Sequence, residues 1–214
     1  MSDARKNVWE LNLNMSNDRS NNYSLRRREV VKKLIADDDL LVIAGLGSTA
    51  WDITAAGDRD LNFPLWGAMG GAISMGLGLA LAQPGRRVLV ITGDGETLMG
   101  MGSLATVAMQ SPENFAICTF DNERYGETGM QSTHTADRTN LAGVAAACGI
   151  RQSGIVRSDE ELEVALPMIL KSPGPIYYVI KVRAEKLDFV LPPKDGVHLK
   201  NRFRKTLLGD DAIL

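Results

Sequence analysis

Val88-Leu89-Val90-Ile91-Thr92-Gly93-Asp94-Gly95 is the stretch on which the fold turns. Four consecutive apolar residues read as a strand buried on both faces, because a strand with one wet face alternates apolar and polar side chains. The Gly-Asp-Gly triplet then falls where such a strand leaves its sheet. A second apolar run, residues 115–120, ends the same way in Asp121-Asn122-Glu123-Arg124-Tyr125, with 26 residues between Gly95 and Asn122. Two neighbouring strand ends thus offer a carboxylate, Asp94, and an amide oxygen, Asn122. These are hard oxygen ligands of the kind a divalent cation takes. Gly93 and Gly95 let the backbone come close to an anion, so the two segments together suggest a metal–diphosphate site.

Outward from this pair, residues 40–44 and 175–182 also read as buried strands. Residues 23–36, 49–55, 70–82, 98–110, 141–148 and 158–170 read as helices. Apolar strands alternating with helices predict an α/β fold: three layers, doubly wound, with a mostly parallel sheet and helices on both faces. Such sheets bind ligands at the carboxyl ends of their strands, where both segments lie. Ser48 is the expected N-cap of the second helix, and Ser158 with Glu161 is spaced as a capping box. Gly70, Ser74, Gly78 and Ala82 fall four apart and predict a closely packed neighbour along one helix face. Residues 122–138 read as a long polar loop, and such loops are often functional.

Residues 1–22, polar and rich in asparagine (Asn12, Asn14, Asn17, Asn21, Asn22), read as an N-terminal arm. Residues 23–183 form the expected domain, and residues 184–214 a basic, proline-broken C-terminal tail. With 214 residues, a net charge of −2 and 44% hydrophobic residues, the chain has the makings of one globular domain. That charge gives no reason to expect nucleic acid as a partner. Cys118 and Cys148 make no disulfide framework and suit a reducing compartment. No stretch has the length of a membrane span, and the N-terminus lacks the apolar core of a signal peptide. A cytoplasmic location without membrane attachment is the expectation.

The combination Gly93-Asp94-Gly95 with Asp121-Asn122 resembles the cofactor motif of the thiamine-diphosphate-dependent enzymes. The longer string, residues 121–129 followed by Gln131-Ser132-Thr133-His134-Thr135, is similar to the small-subunit-type decarboxylases of sulfopyruvate and phosphonopyruvate. The resemblance covers residues 25–183 and implies the diphosphate-binding domain of that family, with thiamine diphosphate and Mg²⁺ as cofactors. It implies that Asp94, the Asn122 side chain and the Arg124 backbone carbonyl bind Mg²⁺. Gly93, Gly95, Glu96 and Tyr125 would contact the cofactor, with the Gly95 and Glu96 backbone N–H groups on the diphosphate and a helix N-terminus near Thr97 behind them. Upstream, Trp66-Gly67-Ala68-Met69-Gly70 resembles the segment under the aminopyrimidine ring. There the Gly67 carbonyl would accept from the ring's 4-amino group, and Met69 would be the apolar wedge that bends the cofactor. Two residues depart from the family pattern: Asp121 replaces the first asparagine of the usual pair, and Glu96 is acidic beside a diphosphate.

The resemblance further implies a two-chain enzyme. Family members use a second, pyrimidine-binding domain that supplies the catalytic glutamate, and this chain has the length of one domain only. A hetero-oligomer with a separate pyrimidine-domain subunit, at least two copies of each chain, is expected. The implied reaction is decarboxylation of a small anionic 2-oxo acid, through attack of the cofactor ylid on the 2-oxo carbon and loss of CO2. An acetolactate-synthase-like carboligase and a non-catalytic cofactor-binding subunit remain as alternatives. A nicotinamide-dependent oxidoreductase is disfavoured, because the Gly-rich run 67–78 contains no G-x-G-x-x-G opening a helix after a strand, and Asp94 would repel a pyrophosphate unless a metal intervened. His134 is read equally as a general acid or substrate contact and as a solvated loop residue. Arg59, Arg124 and Arg138 are candidates for an anionic substrate, with surface solvation the simpler reading for each.

Overall fold

The structure, a computed structural model, describes residues 19–213. Asn12, Asn14 and Asn17 of the N-terminal arm lie outside the described residues. Six strands build one wholly parallel sheet: β1 (Leu41–Ala44), β2 (Asn62–Pro64), β3 (Val88–Gly93), β4 (Phe115–Asp121), β7 (Gln152–Val156) and β8 (Ile176–Lys181). Their order is β2-β1-β3-β4-β8-β7. A short antiparallel pair, β5 (Arg124–Tyr125) and β6 (Gln131–Ser132), stands apart from it.

Because successive strand side chains point to opposite faces, each apolar strand feeds two cores. Val42, Leu89, Ile91, Ala116 and Cys118 meet α1 (Arg27–Leu34), α2 (Ser48–Ala56) and α7 (Asp159–Lys171). Leu41, Val88, Val90, Phe115 and Ile117 meet α3 (Ala72–Ala82), α5 (Ser103–Gln110) and α6 (Leu141–Cys148) on the other side. The three-layer, doubly wound reading is therefore what the chain builds. The chain steps outward from β1 to β2 and returns through α3 to β3 on the far side of β1. That reversal opens a crevice at the carboxyl ends of β1 and β3, where Gly45 and Asp94 lie.

Several local expectations change. Residues 98–110 are not one helix: α4 (Asp94–Met99) and α5 are separated at Gly100, Met101 and Gly102. The helix at the motif therefore begins at Asp94 itself rather than near Thr97. Ser48 is the first residue of α2, and its N-cap is Gly47, whose φ of 87° is left-handed. The first helix is shorter than residues 23–36. Ser74, Gly78 and Ala82 are exposed, so nothing described packs on that face of α3. The close approach is at Gly76, where an added Cβ would lie 2.2 Å from Val90 Cγ2. Ser158 caps α7 through the Glu161 N–H, but the Glu161 carboxylate accepts from the Arg157 N–H instead of closing the box on Ser158.

The domain also extends beyond residues 23–183 at both ends. Arg19–Asn22 forms a 3₁₀ turn with Ser20 fully buried. Residues 196–208, expected to be tail, form α8 (Gly196–Leu208), capped by the Asp195 side chain. Phe203 of α8 packs edge-on against Phe63 at a centroid distance of 5.6 Å, and Arg202 pairs with Asp58 at 2.7 Å. Strands β2 and β7, three and five residues long, had no reading in the sequence. Truncating Phe203→Ala should therefore destabilise the whole domain by about 3 kcal/mol, the cost of removing a buried aromatic ring. Thermal unfolding followed by circular dichroism checks it; an unchanged Tm would mean that α8 is an appendage.

Candidate cofactor and metal site

Strands β3 and β4 pair in a register that sets Gly93 opposite Phe120, so Asp94 and Asp121 emerge side by side. Both are buried, at 2% and 1% exposure. Nearby polar groups serve these carboxylates. The Thr133 hydroxyl donates to Asp94 Oδ2 at 2.5 Å. The Thr135 hydroxyl lies between Asp94 Oδ2 (3.2 Å) and Asp121 Oδ1 (2.7 Å). Burial, and secondarily the neighbouring Asp121, push the Asp94 carboxyl up to about 7, against the hydrogen bonds of both threonines.

Asp121 is balanced from the other side. Lys181 at the end of β8 places Nζ 2.7 Å from Asp121 Oδ2 and 2.8 Å from Glu123 Oε1. Glu123 also receives the Arg19 guanidinium (Nε at 3.0 and 2.9 Å) and the Tyr23 hydroxyl (2.7 Å). Burial works to raise the Glu123 carboxyl, but these donors outweigh it and hold it below its ordinary value. The segment between the strand end and β5 is shaped by two consecutive side-chain turns. Asp121 Oδ1 accepts from the Glu123 N–H at 3.0 Å, and Asn122 Oδ1 from the Arg124 N–H at 2.9 Å. Glu123 takes a left-handed φ of 61° to make this possible.

Gly95 opens the cleft. A Cβ there would lie 2.6 Å from the Tyr125 ring and 3.6 Å from the Met69 methyl, so both side chains close over this glycine. Met69 and Trp66 are exposed, and Trp66 Nε1 donates to the Pro193 carbonyl at 2.8 Å. Gly67 is exposed with nothing within 4 Å of an added Cβ. The Glu127 side chain lies against Gly47, 3.2 Å from where a Cβ would sit. The structure thus brings Asp94, Gly95, Met69 and Tyr125 together, with Gly93 ending β3 and Asn122 and Arg124 in the turn after β4. The Glu96 side chain turns inward, away from solvent.

Other candidates fall elsewhere. His134 is exposed at the start of a 3₁₀ turn, between the two threonines that face Asp94. Arg59 donates to the carbonyls of Ile35, Asp38 and Leu40 and so serves the fold. Arg124 donates to the Ser132 hydroxyl and its neighbour's carbonyl, and Arg138 is exposed. Thr133, Thr135, Lys181, Glu123 and Arg19 were not singled out in the sequence. The alternating threonines on either side of His134 were the one available signal, since both side chains then point the same way.

No group of three or more His, Cys, Asp and Glu among the described residues is arranged to hold a metal. One carboxylate with an amide oxygen and a backbone carbonyl is a different donor set, and a carboxylate whose charge burial disfavours is one a hard cation would ionise. The residues present fit such an ion.

The chain belongs to the thiamine pyrophosphate enzyme family: residues 48–180 match the model for that family's C-terminal TPP-binding domain. More particularly, it is 38% identical over 184 residues to the beta subunit of sulfopyruvate decarboxylase from Methanococcus maripaludis, covering 86% of this chain and 98% of that one. It is 36% identical over 181 residues to phosphonopyruvate decarboxylase from Streptomyces viridochromogenes, covering 83% of this chain but 45% of that enzyme. The large subunit of acetolactate synthase isozyme 1 from Escherichia coli is more distant, at 27% identity over 175 residues. Benzoylformate decarboxylase from Polynucleobacter necessarius shares the fold, with a TM-score of 0.65 at 16% identity over 88% of this chain and 36% of that one.

The raised Asp94 value has a consequence for stability. Between its ordinary 3.8 and about 7, the folded chain binds more protons than the unfolded chain. Stability without a cation therefore falls as pH rises through that window, and the penalty is complete above it. Asp94→Asn should raise the Tm at pH 8 in chelator by roughly 3 °C or more, with the gain shrinking toward pH 4. Wild-type Mg²⁺ affinity should strengthen as pH rises toward 7. Thermal scans with and without Mg²⁺ measure both, and equal Tm values at pH 8 would remove the buried-charge account.

Proposed function

We propose that this chain is the diphosphate-binding subunit of a two-chain thiamine-diphosphate-dependent decarboxylase acting on a small 2-oxo acid of the sulfopyruvate or phosphonopyruvate kind. The observation that carries the reading is the buried Asp94 carboxylate at the β3–α4 junction, set beside the 122–124 turn with Met69 and Tyr125 closed over Gly95. Coverage of nearly the full length of a sulfopyruvate decarboxylase beta subunit supports the two-chain form.

In this reading Asp94, the Asn122 side chain and the Arg124 carbonyl hold Mg²⁺. The Gly95 and Glu96 N–H groups, in the first turn of α4, would bind the diphosphate. The Gly67 carbonyl accepts from the pyrimidine amino group, and Met69, unbranched and apolar, supports the bend of the cofactor. When bound, the thiazolium supplies the electron sink for loss of CO2 from the 2-oxo acid. Tyr125 and Met69, over Gly95, would flank the bound cofactor. His134, beside Thr133 and Thr135, is the candidate proton donor or substrate contact of this chain. The acid facing the pyrimidine belongs to a partner subunit, in an assembly with at least two copies of each chain. The cytoplasm is the proposed compartment, supported by two unpaired cysteines; no helix among the described residues is long and apolar enough to cross a membrane.

The test is CO2 release from sulfopyruvate, phosphonopyruvate and pyruvate by the chain alone and with its co-purified partner. Thiamine-diphosphate-dependent turnover is expected only with the partner, and Asp94→Ala should lower it by about a hundredfold or more, a loss of nearly 3 kcal/mol of transition-state stabilisation. Turnover by the chain alone would sink the two-chain reading. Acetolactate formation from pyruvate without net aldehyde release would favour the carboligase alternative.

A further inference from the structure

The Glu96 carboxylate is buried, with 4% of the residue exposed, and it lies at the crevice between β1 and β3. Its Oε2 accepts from the Thr92 hydroxyl at 2.7 Å, and its Oε1 from the Gly70 N–H at 3.3 Å. The backbone N–H groups of Leu46 and Ala72 lie close enough to favour its charged form. These donors come from three separate segments: the turn after β1, the start of α3 and the end of β3. Gly45 gives the carboxylate its seat, because a Cβ there would lie 1.6 Å from Oε2. The turn it grips is bent, with Ala68 at φ 57° and Gly70 at φ 92°, both left-handed. An added Cβ at Gly100 would lie 2.1 Å from the Gly70 carbonyl, so the turn is also seated against the α4–α5 break.

A buried carboxylate is costly unless donors satisfy it, and deleting it leaves those donors unpaired in turn. We propose that Glu96 is a positioning residue whose carboxylate ties the 67–72 turn and the turn after β1 to the β3–α4 junction, holding the pyrimidine-side segment in register with Asp94. The inference rests on the cofactor reading above and concerns the side chain, whereas that reading uses only the Glu96 backbone N–H. The acidic residue is thereby an internal brace facing away from the diphosphate.

The experiment uses the chain with its partner and compares wild type with Glu96→Ala, Glu96→Gln and Gly45→Ala. Three quantities are read: amide exchange at Leu46, Gly70 and Ala72, affinity for Mg²⁺–pyrophosphate, and affinity for thiamine diphosphate with Mg²⁺. In Glu96→Ala, exchange at those amides should rise, and thiamine diphosphate binding should weaken about tenfold, the equivalent of one lost buried hydrogen bond. Mg²⁺–pyrophosphate, which does not use the 67–72 turn, should change by less than about threefold, within the spread of ordinary surface substitutions. Gly45→Ala, which evicts the carboxylate without removing it, should reproduce this pattern, and Glu96→Gln should restore most of the lost affinity. Tighter binding of both ligands in Glu96→Ala would overturn the brace and make Glu96 a mere repulsive neighbour of the diphosphate. Equal weakening of both ligands, or unchanged amide exchange, would overturn it as well. If the wild-type complex binds neither ligand, the cofactor reading falls, and the role proposed for Glu96 in serving it falls with it.

Discussion

Two carboxylates ending adjacent parallel strands dominate the chemistry of this chain. Asp94 and Asp121 are placed together by the β3–β4 register and share the Thr135 hydroxyl, deep enough that water does little to screen them. Two like charges cannot both be ionised at low cost in such a place, and the surrounding structure answers asymmetrically. Lys181 stabilises the charge on Asp121. Asp94 has hydroxyl donors but no cationic partner among the described residues, and burial raises its carboxyl to about 7. In the proposed reading a divalent ion would relieve that cost.

The same network explains why residues far apart in sequence converge here. Glu123 must adopt a left-handed backbone for the 122–124 turn to present its oxygens, and its buried carboxylate must then be paired. Lys181 of β8, Arg19 and Tyr23 supply that pairing. The beginning of the described chain and its last strand therefore clasp the turn that follows β4. On the opposite side of the cleft, Glu96 performs the corresponding task for the turns after β1 and before α3. Both departures from the family's usual motif, Asp121 and Glu96, are thus absorbed into internal hydrogen-bond networks. Neither is left as a bare charge facing a diphosphate.

The apolar runs at 88–91 and 115–120, the glycines around Asp94 and the spacing to Asn122 identified the fold class, the family and the crevice. Each of those signals is local: a doubly buried strand must be continuously apolar, and a close backbone approach demands glycine. The short strands β2 and β7 left no such trace, since three to five residues hold too little periodicity. The amphipathic character of α8 was masked by its many basic residues, although Phe203 and Leu199 face inward. Residues 98–110 read as one helix in the sequence, but the chain breaks at Gly100–Gly102, where Gly100 packs against the Gly70 backbone.

What the sequence determined by itself was the set of strand-end oxygens and the need for glycine beside them, because those follow from the chemistry of single residues in short windows. The tertiary structure decided which groups neutralise which charges. Thr133 and Thr135 reach Asp94 across roughly forty residues, Lys181 reaches Asp121 across 60, and Arg19 reaches Glu123 across 104. Electrostatic pairing acts through space and depends on burial, so no local pattern announces it; only the folded register of the parallel sheet brings those partners within hydrogen-bonding distance.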